Sequence, residues 1–187
     1  MSNNVKDPKD KPDPQVLQCI LNGYPDKLGP IAGRSISYTY WEHILLRYVG
    51  DVPLDIKRNY SEKLVLSLVG TFERILKGHA GTLSFTSGCL TNLLTNSHAT
   101  GITESARLLN SVVPTTEYKI AGTVVDSSGG WVTERWGYYD KKNNIQICDG
   151  IDTFLIYDSQ IAVKMINYTV ECKLDDEEEF KRKLGIS

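Results

Sequence analysis

Histidine is scarce in this 187-residue chain: only His43, His79 and His98 occur, so a three-histidine metal site would have to draw all of them from distant segments. Cysteine is sparse as well. Cys19, Cys89, Cys148 and Cys172 form no C-x-x-C pair and have no histidine at metal-ligand spacing, which argues against zinc and against a disulfide framework and reads as free thiols. No metal and no cofactor is expected. A basic excess is also missing, because 21 Lys and Arg stand against 23 Asp and Glu and the formal net charge is −2. The chain therefore lacks the positive field that phosphate-backbone binding needs, and nucleic acid is not an expected partner. No apolar run approaches the roughly 18 residues of a membrane span, and the opening residues, dominated by Lys, Asp and Pro, hold no apolar signal-peptide core. These absences point away from a membrane and toward a cytoplasmic protein.

What is present is one ordinary domain with enough apolar residues, 41%, to build a core. Residues 1–14 have almost nothing to bury and read as a disordered tail, leaving 15–174 as the domain. At the other end, residues 175–187 place Asp175 to Glu179 before Phe180-Lys181-Arg182-Lys183-Leu184, an order that complements a helix dipole and suits a charged, solvated terminal helix or tail.

The hydrophobic period changes about halfway. Tyr40, Ile44, Leu45 and Tyr48 repeat at helical spacing, and Thr39 with Glu42 forms a capping box to start them. Asp51 followed by Pro53 starts a second helix with Leu54, Ile56 and Tyr60 apolar. Residues 63–69 fit a buried strand or another helix equally well, and a third helix is expected over Thr103 to Ser111, stopped by Pro114. After Pro114 the signals are strands and turns: 118–125, 131–139, 145–157 and 161–172, separated by Asp126 to Gly130, Asp140 to Asn144 and Asp158-Ser159. Helices followed by an antiparallel meander indicate an α+β fold, with helices packed on one face of a curved sheet and a conical cavity between them.

Four strings then resemble one family. They are Asn59-Tyr60-Ser61-Glu62-Lys63-Leu64-Val65-Leu66; Lys77-Gly78-His79-Ala80-Gly81; Glu134-Arg135-Trp136; and Asp149-Gly150-Ile151-Asp152-Thr153-Phe154 with Ile161 and Asn167-Tyr168-Thr169-Val170. Together they resemble the SnoaL-like branch of the nuclear transport factor 2 (NTF2-like) superfamily over most of residues 40–172. The resemblance implies an α+β cone that binds small molecules and, in isomerases, cyclases, dehydratases and epoxide hydrolases, acts without a cofactor. Residues 82–101 read as an insertion, and Ser97-His98-Ala99-Thr100-Gly101 repeats the Gly-His turn, so either His79 or His98 can occupy the family position. Ala80 replaces the usual acid, and Asn167 stands where many members have His.

Two readings of Asp152 stay open. As strand punctuation it is a hydrogen-bonded carboxylate at a strand end. On the other reading, period-2 alternation puts Asp152, Phe154 and Ile156 on one sheet face, where desolvation raises the carboxyl pKa and suits it to general acid or base work. Asn167 would orient a carbonyl or water, or serve as a structural amide. Trp131 and Trp136 lie on opposite faces, so at most one lines the cavity; Trp136, Tyr40, His79 and Phe154 complete the expected substrate-binding set. With Asn167 and Ala80 in place, no second carboxylate or imidazole is evident.

Two functions follow. One is a cofactor-independent isomerase, cyclase, dehydratase or hydrolase acting on a small apolar molecule; the other is a non-catalytic ligand-binding or dimerisation module of the same fold. A homodimer is expected through the convex sheet face, with Ile120, Val132, Tyr138 and Tyr168 as its apolar patch.

Overall fold

The computed structural model describes residues 14–70, 119–141, 145–168 and 176–186. The insertion at 82–101, the helix at Thr103 to Ser111, both Gly-His turns and almost all of the N-terminal tail lie outside the described residues. No described helix is long and apolar enough to cross a membrane.

Three helices open the chain: α1 (Pro14–Gly23), α2 (Ile36–Tyr48) and α3 (Val52–Asn59). Asp51 caps α3 as its spacing predicts, its Oδ1 accepting from Leu54 N at 3.1 Å with Pro53 in the first turn. Helix α2 starts earlier than the capping box implies, because Ser35 is the N-cap and its Oγ accepts from Tyr38 N at 3.1 Å. Thr39 and Glu42 are occupied elsewhere. Thr39 Oγ1 donates to Ser159 O at 3.2 Å, and the buried Glu42 carboxylate takes Arg34 Nη1 and Arg58 Nε, each at 2.7 Å. Tertiary partners for those side chains outcompete the local cap.

Arg34, in the loop before α2, uses every N–H it has. Nε donates to Ile31 O, Nη1 to Glu42 Oε1 and Asn59 Oδ1, and Nη2 to Arg58 O and Ser159 O, all within 2.7–3.2 Å. One planar guanidinium thereby ties a loop, two helices and a strand turn together.

The strands are β1 (Tyr60–Gly70), β2 (Lys119–Asp126), β3 (Trp131–Asp140), β4 (Ile145–Tyr157) and β5 (Gln160–Tyr168), in the spatial order β1-β5-β4-β3-β2. The expected meander is there in β2 to β5. Residues 63–69 belong to β1, which pairs parallel with β5, so the sheet is mixed where an antiparallel one was expected. Bulges interrupt the register near Ile120, Trp136 and Leu155, which bends the strands and curves an open sheet. The Asp158-Ser159 turn has both residues at positive φ, 50° and 63°, the backbone that a two-residue hairpin requires.

On the concave face, Val132, Glu134 and Trp136 of β3, Asp152, Phe154 and Ile156 of β4, and Ile161 and Ile166 of β5 are buried beneath Tyr40 and Ile44 of α2 and Ile56 of α3. This placement corrects the expected dimer patch. Val132 and Tyr138 are core residues and Ile120 packs against the core: Val132 shares the inward parity of Glu134 and Trp136, and Ile120 and Tyr138 lie at register shifts; the Tyr168 side chain lies outside what is described. The convex face instead carries Trp131, Ile151 and Met165.

A fourth helix, α4 (Glu177–Leu184), follows Asp176 as N-cap and ends at Gly185 in the left-handed conformation, φ 75°. It is not merely solvated, since Phe180 and Leu184 are buried against Cys148 and Arg135 donates to Lys183 O at 3.0 Å. Burying two such side chains contributes about 1.5–3 kcal/mol each. Cys19 is a free thiol as expected, whereas Cys148 is disulfide-bonded; sequence spacing carries no information about which cysteines meet in space.

Candidate active site

Strand register, not sequence proximity, assembles the site. Glu134 on β3 and Asp152 on β4 are directly paired, so both carboxyls point into the concave face side by side. They are 2% and 6% exposed. Burial, then the neighbouring Asp152 charge, pushes the Glu134 carboxyl up to about 8. Burial raises Asp152 as well, but two donors oppose it: Trp136 Nε1 donates to Asp152 Oδ1 at 2.7 Å, and Lys164 Nζ lies 3.7 Å from Oδ2. Two adjacent buried carboxyls cannot both be ionised cheaply. Lys164 and the indole N–H favour the charge on Asp152 over Glu134, whose carboxyl, pushed up to about 8, holds its proton at neutral pH. Tyr40 Oη donates to Glu134 Oε2 and lies 3.4 Å from Thr123 Oγ1.

Helical spacing supplies the other wall. Tyr40, His43 and Arg47 recur at three and four residues along α2, on the side facing the sheet, and Asp55 and Asn59 are one turn apart on α3. His43 Nδ1 is 3.0 Å from both Asp55 oxygens. Burial lowers the imidazole to about 4 despite the Asp55 charge, so the ring is neutral at pH 7. Its hydrogen-bond partners assign the tautomer: Nδ1–H donates to Asp55 and Nε2 accepts from Lys164 Nζ at 3.3 Å. Asp55 is pushed up by burial but held below its ordinary value by His43, Arg47 and Asn59. Asn59 Nδ2 donates to it at 3.0 Å; Arg47 Nε makes an ion pair at 2.7 Å, although its N–H is not aimed for a hydrogen bond. Lys164 Nζ also rests 4.9 Å from the centre of the Phe154 ring. Among the described residues no cluster of three His, Cys, Asp or Glu is placed to hold a metal ion.

No family model matches the sequence, and no curated protein matches it. Solved structures do share the backbone arrangement. A loop-truncation variant of IdmH has 12% identity over 72% of this chain and 92% of that chain, with a TM-score of 0.51. An NTF-2 like protein of unknown function from Burkholderia xenovorans has 8% identity over 77% and 90%, with a TM-score of 0.43. The α+β fold is shared with the IdmH variant. A candidate polyketide cyclase from Bacillus cereus is similar at 18% identity, over 81% of this chain and 82% of that one, with a TM-score of 0.43.

On this curved sheet, the sequence-predicted residues divide. Asp152, Trp136, Tyr40 and Phe154 meet on the concave face. Phe154 is fully buried between the Tyr40 and His43 rings, 5.4 and 5.5 Å away, and is a packing hub. Asn167 does not join them, because it pairs with Ile151 on β4 and shares the convex face with that residue. His79 lies outside the described residues. The expectation of no second carboxylate or imidazole is overturned by Glu134 and His43. Lys164 was missed as well. Their signals are present in the alternation, since Glu134 has the parity of Val132 and Trp136, and Lys164 that of Ile166; both are charges on otherwise apolar faces.

Proposed function

We propose that the protein is a cofactor-independent acid–base catalyst, of the isomerase, cyclase, dehydratase or hydrolase kind, acting on a small uncharged molecule held in the cone. The observation that carries this reading is the Glu134–Asp152 pair: two adjacent buried carboxyls in unlike environments, Glu134 pushed up to about 8 and Asp152 facing the Lys164 cation and the Trp136 N–H. In the simplest cycle, Asp152 takes a proton from carbon beside a substrate carbonyl while Glu134 gives its proton to the carbonyl oxygen, yielding an enol. Returning the proton at a different carbon gives an isomer, and attack of the enol carbon on a second carbonyl gives a ring. Tyr40, hydrogen-bonded to Glu134, steadies the acid. An uncharged substrate is favoured because the ions around the pair already balance, Asp152 against Lys164 and Asp55 against Arg47.

The alternative, a ligand-binding module without turnover, draws on one feature: each carboxyl of the pair already has a protein donor, as in a structural network. Mass spectrometry of deuterium incorporation from D2O into a panel of uncharged ketones and 1,3-diketones decides between them. A catalyst exchanges at least one probe, and Asp152→Asn lowers that rate about 10²–10⁴-fold while the melting temperature stays close to wild type. Binding of a probe without exchange, or equal loss of exchange and stability in the variant, favours the module.

A further inference from the structure

The His43–Asp55 pair is buried and makes its hydrogen bonds and ion pairs with groups other than the two carboxyls, so the acid–base reading leaves it without a task. Its geometry supplies one. Asp55 fixes the tautomer that leaves His43 Nε2 as an acceptor, and the only described side-chain nitrogen within hydrogen-bond reach of that atom is Lys164 Nζ, at 3.3 Å. The same ammonium stands 3.7 Å from Asp152 Oδ2 and over the Phe154 ring, and its side chain is 12% exposed.

We infer that Lys164 is the positioning residue of the site: the His43–Asp55 pair seats its ammonium against Asp152, so that two adjacent carboxyls take unlike roles, Asp152 as proton acceptor and Glu134 as proton donor. Without a seat, a lysine on the β5 inner face would be free to reorient toward either carboxylate or toward solvent, since four rotatable bonds separate its charge from the backbone. Three contacts on three sides, imidazole nitrogen, carboxylate and aromatic face, remove that freedom. The charged and titratable groups facing Asp152 from the elements packed against it are Glu134 on β3, Lys164 on β5 and His43 on α2, with Asp55 and Arg47 behind the imidazole. Lys164 is the cation nearest Asp152 among them. This inference rests on the acid–base reading for its purpose but can be tested without a substrate.

The test is a carboxyl 13C NMR titration of the full chain, labelled at Asp and Glu. In wild type the Asp152 carboxyl titrates below that of Glu134. Lys164→Met, which keeps the length and removes the charge, raises the Asp152 midpoint by about 1–3 pH units and closes or inverts the order, as expected for loss of an opposite charge at this range. Lys164→Arg restores the wild-type order. His43→Phe, which keeps a ring between Tyr60 and Phe154 but removes Nε2, gives a smaller rise in the same direction. If Lys164→Met does not fold, Lys164→Gln makes the same comparison. An Asp152 midpoint unchanged in the neutral variant, or an Arg variant that behaves like Met, overturns the proposal; an unchanged midpoint in His43→Phe removes the imidazole from it. A protein with these titrations that exchanges no probe would sink the catalytic reading while leaving the ordering of the pair intact.

Discussion

The indole of Trp136 lies across Gly150, its register partner on β4, and from there reaches two residues further along that strand to donate its N–H to Asp152 at 2.7 Å. The glycine is required by that approach. A Cβ at position 150 would stand 2.4 Å from ring atoms of Trp136, far inside van der Waals contact. Gly150→Ala is therefore expected to displace the indole, cost about 1–3 kcal/mol as overpacking does, and lengthen or break the bond to Asp152. Urea unfolding measures the first effect. The second appears as a change in the indole N–H resonance in a 15N spectrum, and an unchanged resonance together with wild-type stability would refute the account.

Arg34 makes a second, separable prediction. Lysine keeps the charge but offers only three donors without a planar fork, so Arg34→Lys should leave unpaired several acceptors among Ile31 O, Glu42, Asn59, Arg58 O and Ser159 O. A loss of about 2–4 kcal/mol is expected, consistent with disrupting a buried charge network. Chemical denaturation would show it. The loss should also couple to Ser159, because Ser159 backbone oxygen accepts from both Arg34 and Thr39; a Thr39→Val, Arg34→Lys double variant that is strictly additive would argue against one shared strap.

Stability should depend on pH with two opposing slopes. Glu134 has a folded pKa of about 8, above its ordinary 4.5, so the folded protein binds the extra proton between those values and stability falls as pH rises through that window. His43 has a folded pKa of about 4, below 6.5, so the unfolded chain binds the extra proton there and stability falls as pH drops from 6.5 toward 4. Each contributes a slope of about 1.4 kcal/mol per pH unit, and between 4.5 and 6.5 they oppose one another. From pH 6.5 to 8 only the Glu134 contribution of the two remains, and the protein should lose stability. In Glu134→Gln the Glu134 part of that decline disappears, leaving the His43 slope together with whatever the raised Asp152 adds in the same direction as Glu134 did. Thermal unfolding of both proteins across pH 4–9 is the measurement, and a wild type that gains stability from 6.5 to 8 would contradict the assignment.

Much of the scaffold was legible because turn chemistry and period are local. Asp51 and Pro53 announce α3, and 145–157 reads as a strand with the bounds it has. The parallel pairing of β1 with β5 was not legible, since run length alone does not distinguish a buried strand from a helix, nor does any local signal name a partner a hundred residues away. The site was legible only where one strand's alternation sufficed. Asp152 and Trp136 followed from parity, whereas their relation to Glu134, Lys164 and His43 depends on cross-strand register and on which helix face meets the sheet. Asn167 shows the converse: its own strand's alternation allowed either face, and pairing with Ile151 decided for the convex one.

Tyr40 separates a structural network from a tuned one. Its ring is fully buried against Trp41 and Phe154, with centroids 4.7 and 5.4 Å away, and Tyr40→Phe keeps those contacts. What the variant loses is the hydroxyl that donates to Glu134 and stands beside Thr123. A phenol donating to a carboxylate favours its charged form, so removing it should raise the Glu134 midpoint further above 8 while Asp152 changes less. Stability at pH 6 should change by only about 1 kcal/mol, because Glu134 is protonated there with or without the tyrosine, and the loss is that of one neutral hydrogen bond. At pH 9, where Glu134 ionises, the variant should be distinctly less stable than wild type, so the gap between the two proteins widens with pH. A carboxyl 13C titration paired with thermal unfolding at both pH values reads each effect. A Glu134 midpoint that stays put or falls in Tyr40→Phe would show that the hydroxyl does not set the proton affinity of the acid, and would remove Tyr40 from the proposed acid–base site.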